Sequence, residues 1–390
     1  MSFDDLIERR GTHSSKWDMM QPLYGLSPDD SIPMWVADMD FRPPAVVAQA
    51  VQRMVDHGVF GYFGDDAQYR AAICSWMQTR HGWAVDPASI FTTHGLVNGT
   101  ALCVDAFTAP GDAVVLFTPV YHAFARVIKA AGRQVRELPL QNDGGRLSMD
   151  FAAYGAMMTG QEKLVLLCSP HNPGGRVWTG AELQELAAFC VAHDLLLLSD
   201  EIHHDLVMPG HRHLPMPVAV PDITDRLVMM TATTKTFNLA GCHTGNVIIA
   251  DETLRARFAG RMNALGISPN AFGMHMATAA YSPEGAAWVD DLMRYLDGNR
   301  RLFDAAINAI PGVRSMPLEA TYLSWVDFSG TGMAAAEVIR RVETEAKIAV
   351  NYGATFGTGG ADHLRINIAT PRARVAEACD RLQQAFADLQ

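Results

Sequence analysis

Lys235 stands in the stretch TATTKTFNLAG, residues 231–241, directly after the apolar run Leu227-Val228-Met229-Met230. The chain holds only five lysines, at 16, 129, 163, 235 and 347, and arginine carries most of its positive charge. A lysine at the mouth of a buried strand becomes a useful base or nucleophile when desolvation or nearby positive charge lowers its pKa. Two other apolar runs end in polar groups. LVLLC leads into SPHNPGGR, residues 169–176, and LLLLS delivers Asp200-Glu201-Ile202-His203-His204. A carboxylate in such a place is costly unless it meets a cation or hydrogen-bond donors. Asn, Asp and Lys gathered at one sheet edge match pyridoxal phosphate. Lys235 is then the covalent anchor and Asp200 the partner of the protonated ring nitrogen, which keeps the ring an electron sink. Asn172 is placed to donate to the ring's 3′ oxygen. Tyr121, in VYHAF, offers an aromatic face for the ring, and Gly95-Leu96-Val97-Asn98-Gly99 offers backbone N–H groups for a phosphate at a helix start. Singly, each has a plainer reading: Asp200 as a cap, Tyr121 as core, the glycines as a turn. Their order along one alternating pattern joins them.

That pattern is what positions these residues. From residue 88 short apolar runs alternate with amphipathic helices, which signals a mainly parallel sheet. Expected strands are Ala113–Thr118, Gln134–Leu138, Lys163–Cys168, Leu195–Ser199, Arg226–Met230 and Gly245–Ile249. Helices are expected over Ala45–His57, Val120–Ala131 and Thr179–His193, the last with Thr179 as cap. Ligands of such sheets bind beyond the carboxyl ends of the strands. A long helix over Pro283–Ile310 leads out of this region. Beyond it, strands Ala320–Phe328 and His363–Ile368 bracket the helix Ala334–Ala346. The expected division is an N-terminal segment 1–46 packing with the small domain, a large domain 47–285, and a small C-terminal α/β domain 286–390.

A length of 390 residues suffices for one large core and a smaller domain. The net charge of −11 and the lack of a basic run argue against nucleic acid or an anionic membrane as partner. MSFDDLIERR lacks the apolar core of a secretory signal, and no window reaches a membrane-spanning length. The six cysteines are scattered, with no C-x-x-C spacing, which suits reduced thiols in a cytoplasmic protein better than disulfides or a zinc site. No metal site is expected.

With these residues in view, the chain resembles the fold-type I, aspartate-aminotransferase-like PLP enzymes. Within them it looks like the cystathionine β-lyase or C–S lyase branch of the class I/II aminotransferase family. RRGTHSSKWD (9–18), PMWVADMDF (33–41), HGVFGY (57–62), RHGW (80–83), TPVYHAF (118–124), SPHNPGGRVW (169–178), SDEIHHDL (199–206), TKTFNLAG (234–241) and HLRINIATPR (363–372) fall in the family's order. The resemblance implies a large PLP-binding domain with a mainly parallel, seven-stranded sheet flanked by helices, and a smaller α/β domain built from both termini. It implies that His203 falls where transaminating relatives place a tyrosine touching the 3′ oxygen, and that Tyr121 stacks on the ring. Leu96 and Val97 fall at the phosphate-binding turn. Tyr62 resembles a tyrosine that reaches a partner's phosphate, which implies a homodimer. Arg365 resembles the clamp of the substrate α-carboxylate, where a planar fork suits bidentate binding.

The chain also departs from the family. THGLVNG (93–99) replaces the usual phosphate turn, and Ala232 stands three before the lysine, which shifts phosphate contacts to Thr231, Thr233 or Thr234. Cys242-His243 follow Gly241, and no arginine appears eight residues after the lysine. The side-chain pocket is expected near Trp35-Val36-Ala37, the partner's loops and Ser268–Phe272, with His204 at the entrance or, on the plainer reading, behind the site or on the surface. The resemblance implies a small-molecule amino-acid substrate. The implied activity is α,β-elimination from L-cystathionine or related cysteine S-conjugates. The same lysine, aspartate and arginine also serve an L-amino-acid aminotransferase, and a regulatory binding protein with residual lyase activity is a third reading.

Overall fold

A computed structural model describes residues 2–389. The large sheet contains seven strands: β1 (Ile90–Thr93), β2 (Ala113–Thr118), β3 (Gln134–Pro139), β4 (Glu162–Cys168), β5 (Leu196–Asp200), β6 (Leu227–Thr231) and β7 (Gly245–Ile248). Their order is β1-β7-β6-β5-β4-β2-β3. All run parallel except β7, which is antiparallel to both its neighbours. β2, β4, β5 and β6 are apolar nearly throughout and buried on both faces, as parallel strands covered by helices must be. β1 is half polar, IFTT, and its strand character is hidden in the sequence.

The three chemistry-bearing strand ends are neighbours. Cys168 pairs with Asp200 across β4 and β5, and Asp200 pairs with Met230 across β5 and β6. The helix Gly180–Ala192 begins with a capping box. Glu182 N–H donates to Thr179 Oγ1 at 3.2 Å, and Thr179 N–H donates to Glu182 Oε2 at 2.7 Å.

After the long helix Pro283–Ile307 comes a four-stranded antiparallel sheet containing Leu323–Asp327 and His363–Asn367. The helix expected over 334–346 is α only over Ala335–Arg340, and Arg341–Glu345 forms a π turn. The early segment joins this sheet's neighbourhood directly, since Ile32–Pro33 pairs in parallel with Ile348–Ala349. No helix among the described residues is long and apolar enough to cross a membrane.

Candidate active site

The site is built on the segment Trp35–Phe41. Asn238, three residues past Lys235, accepts from Met39 N–H at 2.9 Å and donates to the carbonyls of Met39 and Phe41 at 2.9 and 2.8 Å. From the small sheet, Asn367 donates to the carbonyls of Val36 and Asp38, both at 2.6 Å. Below, fully buried Lys16 pairs with Asp40 at 3.0 Å, and Arg9 bridges Asp38 and Asp40. Two asparagines and this ion cluster thus fix the carbonyl of Ala37. It accepts from Lys235 Nζ at 2.6 Å and from the Tyr322 hydroxyl at 2.9 Å.

Lys235 sits on the short helix Thr233–Thr236 just beyond β6. Burial, reinforced by the positive charge of Arg365, pulls its pKa down to about 8. Asp200 ends β5. Burial pushes its carboxyl up to about 7, although the N–H of Ile202 donates to it at 3.1 Å. Arg365, on the strand His363–Asn367, donates to Asn172 Oδ1 at 3.0 Å, to the Trp35 carbonyl at 2.9 Å, and to Asn351 Oδ1. Its guanidinium lies 5.1 Å from the Phe356 ring centre, and burial lowers its pKa to about 10. Burial, then the charges of Lys235 and Arg365, hold His203 well below the ordinary imidazole range.

These groups share one cavity of about 720 Å³. Lys235, Asp200, Asn172, His203, Tyr121, Arg365, Ala37, Leu96, Val97 and Thr234 all stand in its wall. The helix Leu96–Phe107 starts there. Its cap, Gly95, has φ 81°, a conformation that costs glycine little, and a Cβ on Gly245 beneath it would lie 2.5 Å from the Leu96 side chain. Leu96 and Val97, at this helix start, line the cavity, and a helix N-terminus is the kind of place where backbone N–H groups can meet an anion.

Other expected residues lie elsewhere. Thr231 and Thr233 are buried outside the cavity wall, so Thr234 alone of the three threonines faces it. Tyr62 is fully exposed and lines a different hollow with Phe60 and Phe272. Within the described residues of a single chain it does not reach the Lys235 cavity. Of Ser268–Phe272, none lines that cavity. His204 is buried outside the cavity wall, where its Nε2 lies 3.1 Å from Asp205. His81, His204 and Asp205 offer ligand atoms within 4.8 Å of one another. Asp205, however, already accepts from Trp76 Nε1 at 3.0 Å and Thr236 Oγ1 at 2.9 Å, and it lies 2.8 Å from His81 Nε2. Its lone pairs are committed, and the cluster is a hydrogen-bond network. Asn238, Asn367, Tyr322 and Asn351 are the contributors that sequence reasoning did not assign. Two of them were in plain sight in the T-K-x-F-N and R-x-N motifs.

The chemistry of this donor set fits pyridoxal phosphate on two observations. His203 Nδ1 and Arg365 Nε are buried without a hydrogen-bond partner in the cavity wall. Asp200 is a buried carboxyl whose ionised form needs a cationic N–H. The fold and the site define a PLP-dependent enzyme of fold type I. The family model for aminotransferase class I and II matches residues 30–382, and the chain belongs to that family, in its cystathionine β-lyase and C–S lyase branch. Cystathionine beta-lyase PatB of Bacillus subtilis is 38% identical over 389 residues, which is 99% of this chain and 100% of PatB. Cystalysin from Treponema denticola, which contains pyridoxal 5′-phosphate, superposes with a TM-score of 0.95 at 33% identity, over 100% of this chain and 99% of cystalysin. A PLP-bound C–S lyase from Staphylococcus hominis, complexed with the inhibitor L-cycloserine, gives 0.91 at 30% identity, over 99% and 98% of the two chains.

Proposed function

We propose that this chain is a carbon–sulfur β-lyase that cleaves L-cystathionine or a related cysteine S-conjugate to pyruvate, ammonia and a thiol. One observation carries the reading: Lys235, Asp200 and Arg365 converge on one cavity in a chain similar end to end to a cystathionine beta-lyase. Pyridoxal phosphate, when bound, supplies an electron sink for the pair released at the substrate Cα. Arg365 takes the α-carboxylate, and Asn172 Oδ1 and Asn351 hold its fork facing the cavity. With Oδ1 so used, Asn172 has its amide N–H left to offer the ring oxygen. Asp200 holds the proton on the ring nitrogen. Lys235 Nζ, with a pKa near 8, is neutral in an appreciable fraction of molecules and takes the Cα proton. The ammonium so formed returns that proton to the departing thiolate as the Cβ–S bond breaks. The three-carbon enamine acid that remains takes up one water to give pyruvate and ammonia. The same reading gives the N-terminal helix turn at Leu96 and Val97, with Thr234, the phosphate. It makes the working unit a homodimer, with exposed Tyr62 supplied to the partner's site.

The test is L-cystathionine given to the cofactor-loaded protein with no keto acid present. Pyruvate should accumulate over many turnovers, together with one equivalent of homocysteine. Pyruvate that stays absent, with keto-acid-dependent amino transfer in its place, would make this an aminotransferase.

A further inference from the structure

Among the described residues, the formally charged side chains of the cavity wall are Lys235, Arg365 and Arg126 as cations and Asp200 as the single acid. The proposed chemistry uses all but Arg126. This arginine lies on the helix His122–Ala130, which begins directly after Tyr121, and its side chain is exposed. It makes no ion pair with any described carboxylate, unlike the arginines at 70, 80, 133, 136 and 176. A cation facing a concave site without a counter-charge is a ready anion receptor.

His122 precedes it by four residues, so both side chains lie on one helix face, a turn apart. His122, itself exposed, is held below the ordinary imidazole range by partial desolvation, then by the charges of Arg365 and Arg126. His122, Arg126 and Arg365 line the same cavity, and as a neutral imidazole His122 can still donate one N–H. An amino acid clamped at Arg365 by its α-carboxylate would share that cavity with His122 and Arg126.

Resting on the lyase reading above, we infer that His122 and Arg126 form a second anion subsite, which selects substrates whose departing thiol carries an acidic group. The favoured class is a cysteine S-conjugate with a carboxylate two or more carbons beyond sulfur. Neutral alkyl conjugates are the disfavoured class.

The test compares S-(2-carboxyethyl)-L-cysteine with its near-isosteric neutral amide, S-(2-carbamoylethyl)-L-cysteine. For the native enzyme, kcat/KM for pyruvate release should favour the acid by about tenfold or more, mostly through KM. In Arg126→Gln the ratio should fall to between 1 and 2, and Arg126→Lys should keep an intermediate preference. A merely structural role would lower both substrates alike and leave the ratio standing. A native ratio near 1, or one unchanged in Arg126→Gln, overturns the subsite. So does a tenfold loss of pyridoxal phosphate affinity in Arg126→Gln with the ratio unchanged, which would give the guanidinium to the cofactor's phosphate. If neither compound nor L-cystathionine yields pyruvate, the lyase reading fails separately. Dissociation constants of the two compounds, read from the cofactor's absorbance, then decide the subsite by the same ratio.

Discussion

His203 and His204 follow one another on the turn after Asp200, yet they belong to two different regions. His203 faces the cavity, its Nδ1 is buried without a partner, and burial keeps it from being charged. His204 turns the other way. Its Nδ1 lies 2.6 Å from the Glu201 carbonyl, and Asp205 raises its pKa against the effect of burial. Asp200 and Asp205 repeat the contrast. The first is a buried carboxyl with one backbone donor and a pKa pushed up to about 7. The second is surrounded by Trp76, His81, His204 and Thr236 and held well below the carboxylate range. Burial alone therefore does not mark a functional group. What sets His203 and Arg365 apart is unused bonding capacity in the cavity wall itself, where a ligand can meet it; buried atoms without a partner also occur away from the cavity, at His171 and His363 for example.

Three substitutions test this contrast. Lys235→Ala should remove the covalent anchor and the base together, abolishing the cofactor's visible absorbance and lowering turnover by about a thousandfold or more. Turnover within tenfold of native would remove Lys235 from the mechanism. Asp200→Asn should act on stability with an unusual sign in cofactor-free protein. Folded Asp200 stays protonated up to about pH 7, while the unfolded carboxyl ionises near pH 4. Folding therefore takes up a proton between these values, and Asp200 weakens the native state as pH rises from 4 to 7, by up to about 4 kcal/mol. Denaturant unfolding of native and Asp200→Asn protein at pH 5 and pH 7.5 should show that extra decline in the native protein alone. Equal slopes would mean that Asp200 ionises freely. Asp205→Asn, where Trp76, His81 and Thr236 all bond the carboxylate, should cost about 3 kcal/mol at neutral pH by leaving donors facing a donor. A loss under 1 kcal/mol would show that this network is no more committed than the active site.

The sequence made the strand ends legible because each chemical group closes an uninterrupted apolar run, and such runs in an alternating chain have few other readings. Lys235, Asp200 and Asn172 emerged that way, and Arg365 emerged from its motif. The structure unites all four in one wall. Less visible was anything that depends on which way a residue turns. Nothing in SDEIHHDL says that one histidine faces the cavity and the next a buried aspartate. Nor does TATTKT reveal that Thr234 faces the cavity while Thr233 does not. β1 escaped notice because IFTT lacks an apolar stretch, and β7's antiparallel direction follows from pairing that no local pattern encodes. The clamp on Ala37 was unreadable for another reason: its asparagines stand in visible motifs, but the carbonyls they hold lie some two to three hundred positions away in the chain.

That distance has a kinetic meaning. Asn367 and Val36 are 331 positions apart, and Lys235 and Ala37 are 198 apart. Contacts of such separation form late, because a long loop must close before they return any free energy. The large sheet can pair while the acceptor for the lysine is still unassembled. In a refolding experiment with pyridoxal phosphate present, backbone circular dichroism should recover before the cofactor's absorbance. Cofactor capture would then time the arrival of the chain's two ends at the middle.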